Sequence, residues 1–144
     1  MKISTKGRYA LRMLLYLAEN SGKGFIPLKE IAEKQGISKK YLEQIVGILN
    51  QSGVLRTNRG YQGGYMLAQS PDKYTVGQIL RLTEGNLTPV SCLETTPNFC
   101  ERSDDCKTLH VWHGLNKIVN EYLDGITLKD ILENPNGKSD DYCI

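Results

Sequence analysis

Cys92, Cys100 and Cys106 follow one another as C-x7-C-x5-C, and His110 and His113 come immediately afterwards. Thiolates are soft ligands that hold iron-sulfur clusters and zinc, and imidazole joins them readily, so the grouping has the donor set of a metal centre of Cys3His type. The same residues support two other readings, a redox-responsive thiol switch or cysteines that are merely exposed. Structural zinc usually takes at least one tight C-x2-4-C pair, and none is present, which counts against zinc in particular. The fourth cysteine, Cys143, lies in the terminal segment outside this grouping.

The compartment bears on that choice. The first 24 residues carry Arg8 and Arg12 inside their apolar pattern and offer no small-residue cleavage site, and no later stretch approaches membrane-spanning length. The expectation is a cytoplasmic protein, where a reducing environment disfavours structural disulfides and points clustered cysteines toward metal or redox chemistry. A chain of 144 residues has room for one compact core and an oligomerisation element.

Charge divides the chain unevenly. Residues 1–66 hold eleven Lys or Arg against four Glu, whereas residues 67–144 hold seven against twelve acidic residues. A basic half joined to an acidic one suggests a polyanion-binding surface attached to something else.

The elements that position these groups follow from periodicity. Ser4 is placed to cap a helix with Ala10, Leu14, Leu17 and Ala18 on its buried face. A second helix carries Leu28, Ile31 and Ala32 and stops at Gly36. Ser38 caps a third, with Ile37 and Leu42 at hydrophobic-staple spacing and Leu42, Ile45, Val46 and Leu49 as its inner stripe. Tyr41 stands where a capping box would need Glu or Gln. Gly53 closes this helix. Thr75 caps a fourth helix over Val76, Ile79 and Leu80, residues 86–106 lack periodicity, and a long helix from about Lys107 repeats Trp112, Leu115, Val119 and Tyr122 at coiled-coil spacing. "TLKDILE" forms a short final helix.

Two helices about three residues apart, the second basic on its free N-terminal turns, have the layout of a helix-turn-helix. The stretch "VLRTNRGYQGGYMLAQ" then reads as a hairpin whose tip, at the Gly-Gly pair, needs positive φ, and a hairpin in that place is a wing. In this reading Lys39 and Lys40 join the helix N-terminus in holding phosphates, and Tyr41 and Gln44 approach base edges. Glu43 accepts from cytosine and penalises other sites. Arg56 and Arg59 meet phosphates, and Gly60, Tyr61, Gln62 and Gly63 make up the wing tip that approaches the groove. A nucleophile pair of a cysteine with His110 or His113 would make an enzyme, but no Gly-rich phosphate loop, oxyanion-type motif or partner carboxylate accompanies it. The expectation is a protein that is not an enzyme.

Taken together, "MKISTKGRYALRMLLYLA", "PLKEIAEKQGISKKYLEQIVGIL", "RGYQGGYML", the loop cysteines and the "HVW…ITLKDIL" ending resemble the Rrf2 family of bacterial winged-helix regulators, in particular its iron-sulfur-sensing branch. The resemblance implies a homodimeric transcription factor, a repressor of iron-sulfur cluster assembly genes, that binds an imperfect palindrome on double-stranded DNA. It further implies a [2Fe-2S] cluster held by Cys92, Cys100, Cys106 and a non-cysteine ligand, for which His110 is the candidate, one residue beyond the family position at Leu109. Tyr41, Glu43 and Gln44 match the family's recognition helix, and Arg59 its minor-groove arginine. The departures are a longer spacing between the first two cysteines and the larger Tyr61 and Gln62 in the wing. Arg8 stands where nitric-oxide-sensing relatives carry an acid. The alternative within the same fold is a regulator using its cysteines as a thiol or zinc switch, for example in cysteine metabolism.

The expected fold class is thus mainly α with a small β-hairpin wing: a winged helix-turn-helix domain plus a long C-terminal dimerisation helix. The expected divisions are a DNA-binding domain over 1–85, the cysteine-bearing loop over 86–106, the dimerisation and final helices over 107–134, and a disordered tail over 135–144.

Overall fold

The computed structural model describes residues 1–137; the expected tail beyond them and Cys143 lie outside the described residues. Six α-helices and one hairpin follow in the order α1 (Thr5–Glu19), α2 (Leu28–Gln35), α3 (Lys39–Gln51), β1 (Leu55–Asn58), β2 (Gly64–Leu67), α4 (Val76–Glu84), α5 (Leu109–Asp124) and α6 (Leu128–Glu133), with 3-10 turns at Ser21–Lys23, Pro71–Lys73 and Ser91–Leu93. Among the described residues no helix is long and apolar enough to cross a membrane.

The helix starts obey local chemistry. The side-chain oxygen of Ser4 accepts from the Gly7 amide, and that of Ser38 from the Tyr41 amide. Gly36 ends α2 in the left-handed region, where a side chain would be strained. Met13, Leu14 and Leu17 of α1, Ile31 of α2 and Leu42, Ile45 and Leu49 of α3 meet in one core, joined by Ile79 of α4 and Leu128 of α6. The stripes read from periodicity on α1, α3 and α4 are the buried ones. Ile37 and Leu42 are both buried beside the turn they were expected to staple.

The hairpin is antiparallel with Leu55 opposite Leu67 and Asn58 opposite Gly64, leaving residues 59–63 as its turn. Here the sequence expectation needs correcting. Positive φ belongs to Gly60, at +117°, and not to the Gly63-Gly64 pair. Those two are small for another reason. A Cβ on Gly63 would come within 2.5 Å of the Asn58 carbonyl oxygen, and one on Gly64 would strike the backbone of Ile26. Ile26 forms a one-residue third strand, exchanging both backbone hydrogen bonds with Tyr65 at 2.9 Å.

A second, smaller core of Val76, Leu80 and Leu87 collects Leu11, Leu123, Ile126 and Ile131 and joins α4 to the C-terminal helices. The starts of α4 and α6 mirror each other. Thr75 with Gln78, and Thr127 with Asp130, form two capping boxes, and the two segments pair as a short antiparallel bridge through Val76 N–H to the Ile126 carbonyl (2.8 Å) and Leu128 N–H to the Tyr74 carbonyl (3.0 Å). Beside it the guanidinium of Arg81 donates to both carboxylate oxygens of Asp124, at 2.7 and 2.8 Å, and to Asn120 at 2.6 Å. Gly77 makes room: a Cβ there would collide with the Asp124 carboxylate.

The 3, 4, 3 stripe of α5 is divided between the protein and its surface. No α5 residue is fully buried; Trp112 and Val119 are half-buried, whereas Val111, Leu115, Ile118 and Tyr122 stand exposed at 4, 3, 4 spacing. The exposed stripe lies one residue, about 100°, away from half of the residues read from the sequence. The packing of α5 on α4 sets this rotation, because it draws Leu123 into the smaller core.

Gly64→Ala is expected to cost about 1–3 kcal/mol, as overpacking against a fixed backbone does, and to lower the urea midpoint; an unchanged midpoint would show that the Ile26 bridge is not rigid. Arg81 holds the Asp124 carboxyl below its ordinary value of 3.8. The folded-state value is the lower one, so the pair's contribution to stability is present above the unfolded value and is lost as pH falls through the folded value. Asp124→Asn should therefore reduce stability near neutral pH and flatten the acid limb below about pH 4. Parallel pH–stability curves for variant and wild type would rule that linkage out.

Candidate DNA-binding face and cysteine loop

The outer face of α3 and the hairpin enclose a cleft of about 500 Å³ lined by Lys39, Glu43 and Arg59, together with Lys29, Asn50 and the backbone of Gly60. Asn50 Oδ1 accepts from the Thr57 hydroxyl at 2.8 Å and so ties the helix to the wing. Lys29 and Asn50 escaped the sequence reading because neither belongs to the first turns of α3 or to the wing, and only the fold brings them there.

The remaining expected residues fall around this cleft unevenly. Lys40 and Gln44 are exposed on α3, Gln62 is exposed in the turn, and Tyr61 is fully exposed at its tip. Gly63 is packed against the turn's own backbone. Tyr41 is half-buried, its ring edge-on to Tyr9 with centroids 5.7 Å apart, so its ring is used inside the protein. Arg56 is exposed on β1 and lies near Tyr74, where its charge works against the rise that burial imposes on the phenol. It does not line the cleft.

Ion pairing separates the two halves of the chain. Among the described residues no Lys or Arg of residues 1–66 has a carboxylate partner, whereas Lys73, Arg81, Lys117 and Lys129 each have one. Lys39, Lys40, Arg56 and Arg59 are exposed and have no carboxylate partner among the described residues. The first turn of α3 also holds no acidic residue, leaving its amide dipoles unopposed.

The cysteine loop sits elsewhere. Cys92 lies half-buried in the 3-10 turn Ser91–Leu93, Cys100 is exposed, and Cys106 is half-buried just before α5; all three are free thiols. Cys106 is the distinctive one. Its sulfur lies 3.5 Å from the Thr108 hydroxyl, and that hydrogen bond, then the backbone amides of Thr108 and Leu109 and the charge of Arg102, hold the thiol below its ordinary range against a smaller opposing effect of burial. Arg102 and Lys107 flank it in a cleft of about 400 Å³. His110 and His113 are exposed on the first turns of α5.

Three cysteines and a histidine have the donor chemistry of a soft-metal site. Their placement does not: among the described residues no three His, Cys, Asp or Glu side chains gather closely enough to hold a metal ion.

The family model for Rrf2, iron-dependent transcriptional regulator, matches residues 3–134. The HTH-type transcriptional regulator CymR of Bacillus subtilis (strain 168) is 38% identical over 144 residues, covering 100% of this chain and 99% of that protein. IscR of Sodalis glossinidius (strain morsitans) is 36% identical over 134 residues, covering 93% and 80%. Among solved structures, that of CymR (YrzC), the global cysteine regulator of B. subtilis, superposes with a TM-score of 0.78 at 38% identity, covering 92% of this chain and 97% of that one. T. potens IscR gives 0.74 at 39% identity, covering 94% and 89%. With a hairpin wing behind its helix-turn-helix and a family match across nearly its whole length, the chain belongs to the Rrf2 family of transcriptional regulators.

Proposed function

We propose that this chain is a homodimeric regulator that reads operator DNA with α3 and the hairpin wing and takes its signal at the thiols of the cysteine loop. The observation that carries the DNA reading is the cleft uniting Lys39, Glu43 and Arg59 within a half of the chain whose cations have no carboxylate partners among the described residues. Lys39, Lys40 and the α3 N-terminus hold phosphates while Gln44 and Glu43 face base edges. Arg59 reaches the minor groove from the wing, with Gly60, Tyr61 and Gln62 beside it. Glu43 gains a hydrogen bond from a well-placed cytosine and is left unpaired near phosphates at other sites, so it selects by penalty.

The dimer seam is the exposed stripe Val111, Leu115, Ile118 and Tyr122, flanked by an all-apolar cavity of about 310 Å³ that Met1, Ile3, Val119 and Leu123 help to line. Pairing two chains across this stripe sets two reading heads on one side, so the operator is an imperfect palindrome with half-sites one helical turn, or a multiple of it, apart.

For the signal, the thiol reading is supported by the activated Cys106 and by similarity to a protein described as a global cysteine regulator. A thiolate is the reactive form, and Cys106 lies three residues before the start of α5 at Leu109, so a change at its sulfur acts next to the first turn of the seam helix. A second reading, a [2Fe-2S] cluster on Cys92, Cys100, Cys106 and His110, draws on their donor types and on the family's description as iron-dependent. Asn98 adds to it, since its buried Nδ2 has no hydrogen-bond partner and lies two residues before Cys100, where an anionic acceptor would satisfy it.

One experiment separates these readings. Protein purified without oxygen is assayed for iron, acid-labile sulfide and zinc, and its affinity for a selected duplex is measured before and after thiol oxidation. No metal together with an oxidation-dependent affinity supports the thiol switch; two irons and two sulfides per chain would replace it with the cluster, and affinity indifferent to both would remove the cysteine loop as the sensor.

Thr108→Val should raise the Cys106 pKa and slow its alkylation by iodoacetamide near neutral pH, measured as a pH–rate profile; an unmoved profile would discard Thr108 as the activating group. Glu43→Ala should bring the affinities of cytosine-substituted operators closer together, and unchanged relative affinities would count against its selective role. Lys39→Ala should lower the slope of log affinity against log salt by about one unit; an unaltered slope would remove Lys39 from the phosphate contacts.

A further inference from the structure

We propose that Arg12, on α1, is a positioning residue for operator recognition, acting through Tyr9 to fix the first turn of α3. The inference rests on the reading of α3 as the DNA-reading helix and adds to it a residue that stands outside the helix-turn-helix.

Tyr9 and Arg12 are three residues apart on α1 and therefore share a face. The guanidinium lies over the Tyr9 ring, 5.2 Å from its centroid. Its Nε donates to Gln35 Oε1 at 3.4 Å, and one terminal nitrogen donates to the Gln35 backbone carbonyl. Gln35 is the last residue of α2, where carbonyls lack intrahelical partners and the helix dipole favours a cation. Tyr9 in turn meets Tyr41 edge-on at an interplanar angle of 81°. Tyr41 stands in the first turn of α3, and its amide is the one that Ser38 caps.

The contacts thus straddle the turn of the helix-turn-helix: Arg12 grips the end of α2, and Tyr9 braces the start of α3. The fold does not need this brace, because Ile37, Leu42 and Ile45 already anchor the turn by burial. Arg12 is itself exposed. What it adds is a fixed setting for the turn that carries Lys39, Lys40 and Tyr41. Arg12 is not idle in the free protein: part of its donor fork is taken by Gln35 and its flat face by Tyr9, which sets it apart from a cation waiting for phosphate.

The test uses the full chain and a duplex selected by the wild-type protein from a random pool, with a scrambled duplex as the non-specific reference. Arg12→Ala should weaken binding to the selected duplex by about tenfold, the loss of one cation–π pair and its hydrogen bonds. Affinity for the scrambled duplex and the salt slope should stay unchanged. Tyr9→Phe keeps the ring and should bind as wild type, whereas Tyr9→Leu should match Arg12→Ala, and the double variant Tyr9→Leu/Arg12→Ala should lose no more than either alone.

A salt slope lowered by about one unit in Arg12→Ala would make Arg12 a phosphate contact and overturn the proposal. Equal losses on both duplexes, or no loss on the selected one, would also overturn it. A wild-type protein with no affinity for any duplex would defeat the reading of α3 itself, whereas specific wild-type binding matched by Arg12→Ala would defeat the brace alone.

Discussion

The joint between α4 and α5 is the constraint on which the arrangement of the molecule depends. α4 belongs to the winged-helix core through Ile79, yet its opposite side is committed to the long helix by the Arg81–Asp124 pair and by a glycine, Gly77, that lets the carboxylate approach. Its far end is committed as well. The Glu84 carboxylate accepts from both the backbone N–H and the hydroxyl of Ser4, the residue that caps α1. α5 is thus linked through α4 to the N-terminus of α1, the helix on which α2 and α3 are packed.

The cysteine loop is continuous with this joint. The loop enters α5 through Cys106 and Thr108, so the thiol held below its ordinary range adjoins the first turn of the helix that packs on α4. The Arg81–Asp124 pair is partly exposed, with 36% and 44% of its two side chains accessible. Solvent screening limits its contribution to stability, and its bidentate form makes it more valuable as a register for the two helices. The paired capping boxes at Thr75 and Thr127 serve the same end, because the starts of α4 and α6 are bonded to each other before either helix begins.

What the sequence made legible was local. Caps at Ser4, Ser38 and Thr75, the stop at Gly36 and the inner stripes of α1, α3 and α4 each follow from residues within a turn or two of one another. What it hid was non-local. The Ile26 strand has no period because it is one residue long, and Gly64 looked like a hairpin-tip glycine when its partner was a backbone 38 positions away. Periodicity on α5 does not say which of its apolar residues face the protein: Val119 is half-buried and Ile118 exposed because α5 packs on α4. Tyr41 is the instructive case at the site: a polar aromatic on a recognition helix suggests a reader, and the structure adds an edge-on contact with Tyr9 that nothing near Tyr41 in the sequence announces.

The division of charge acquires a physical meaning once pairing is considered. Four cations of the second half, Lys73, Arg81, Lys117 and Lys129, have a carboxylate partner, two of them one helical turn away as Lys117 with Glu121 and Lys129 with Glu133. Those of the first half have no carboxylate within reach among the described residues, so their field extends outward until counterions screen it, over roughly 8–10 Å. A polyanion approaching such a molecule is drawn to the winged face before any base is read. Glu43 is the exception, an acid in the midst of this field, within a cleft shared with Lys29, Lys39 and Arg59. The attraction that brings DNA to the cleft is indifferent to sequence. Discrimination needs a group whose desolvation is compensated at few sites, and a carboxylate facing a polyanion has that property.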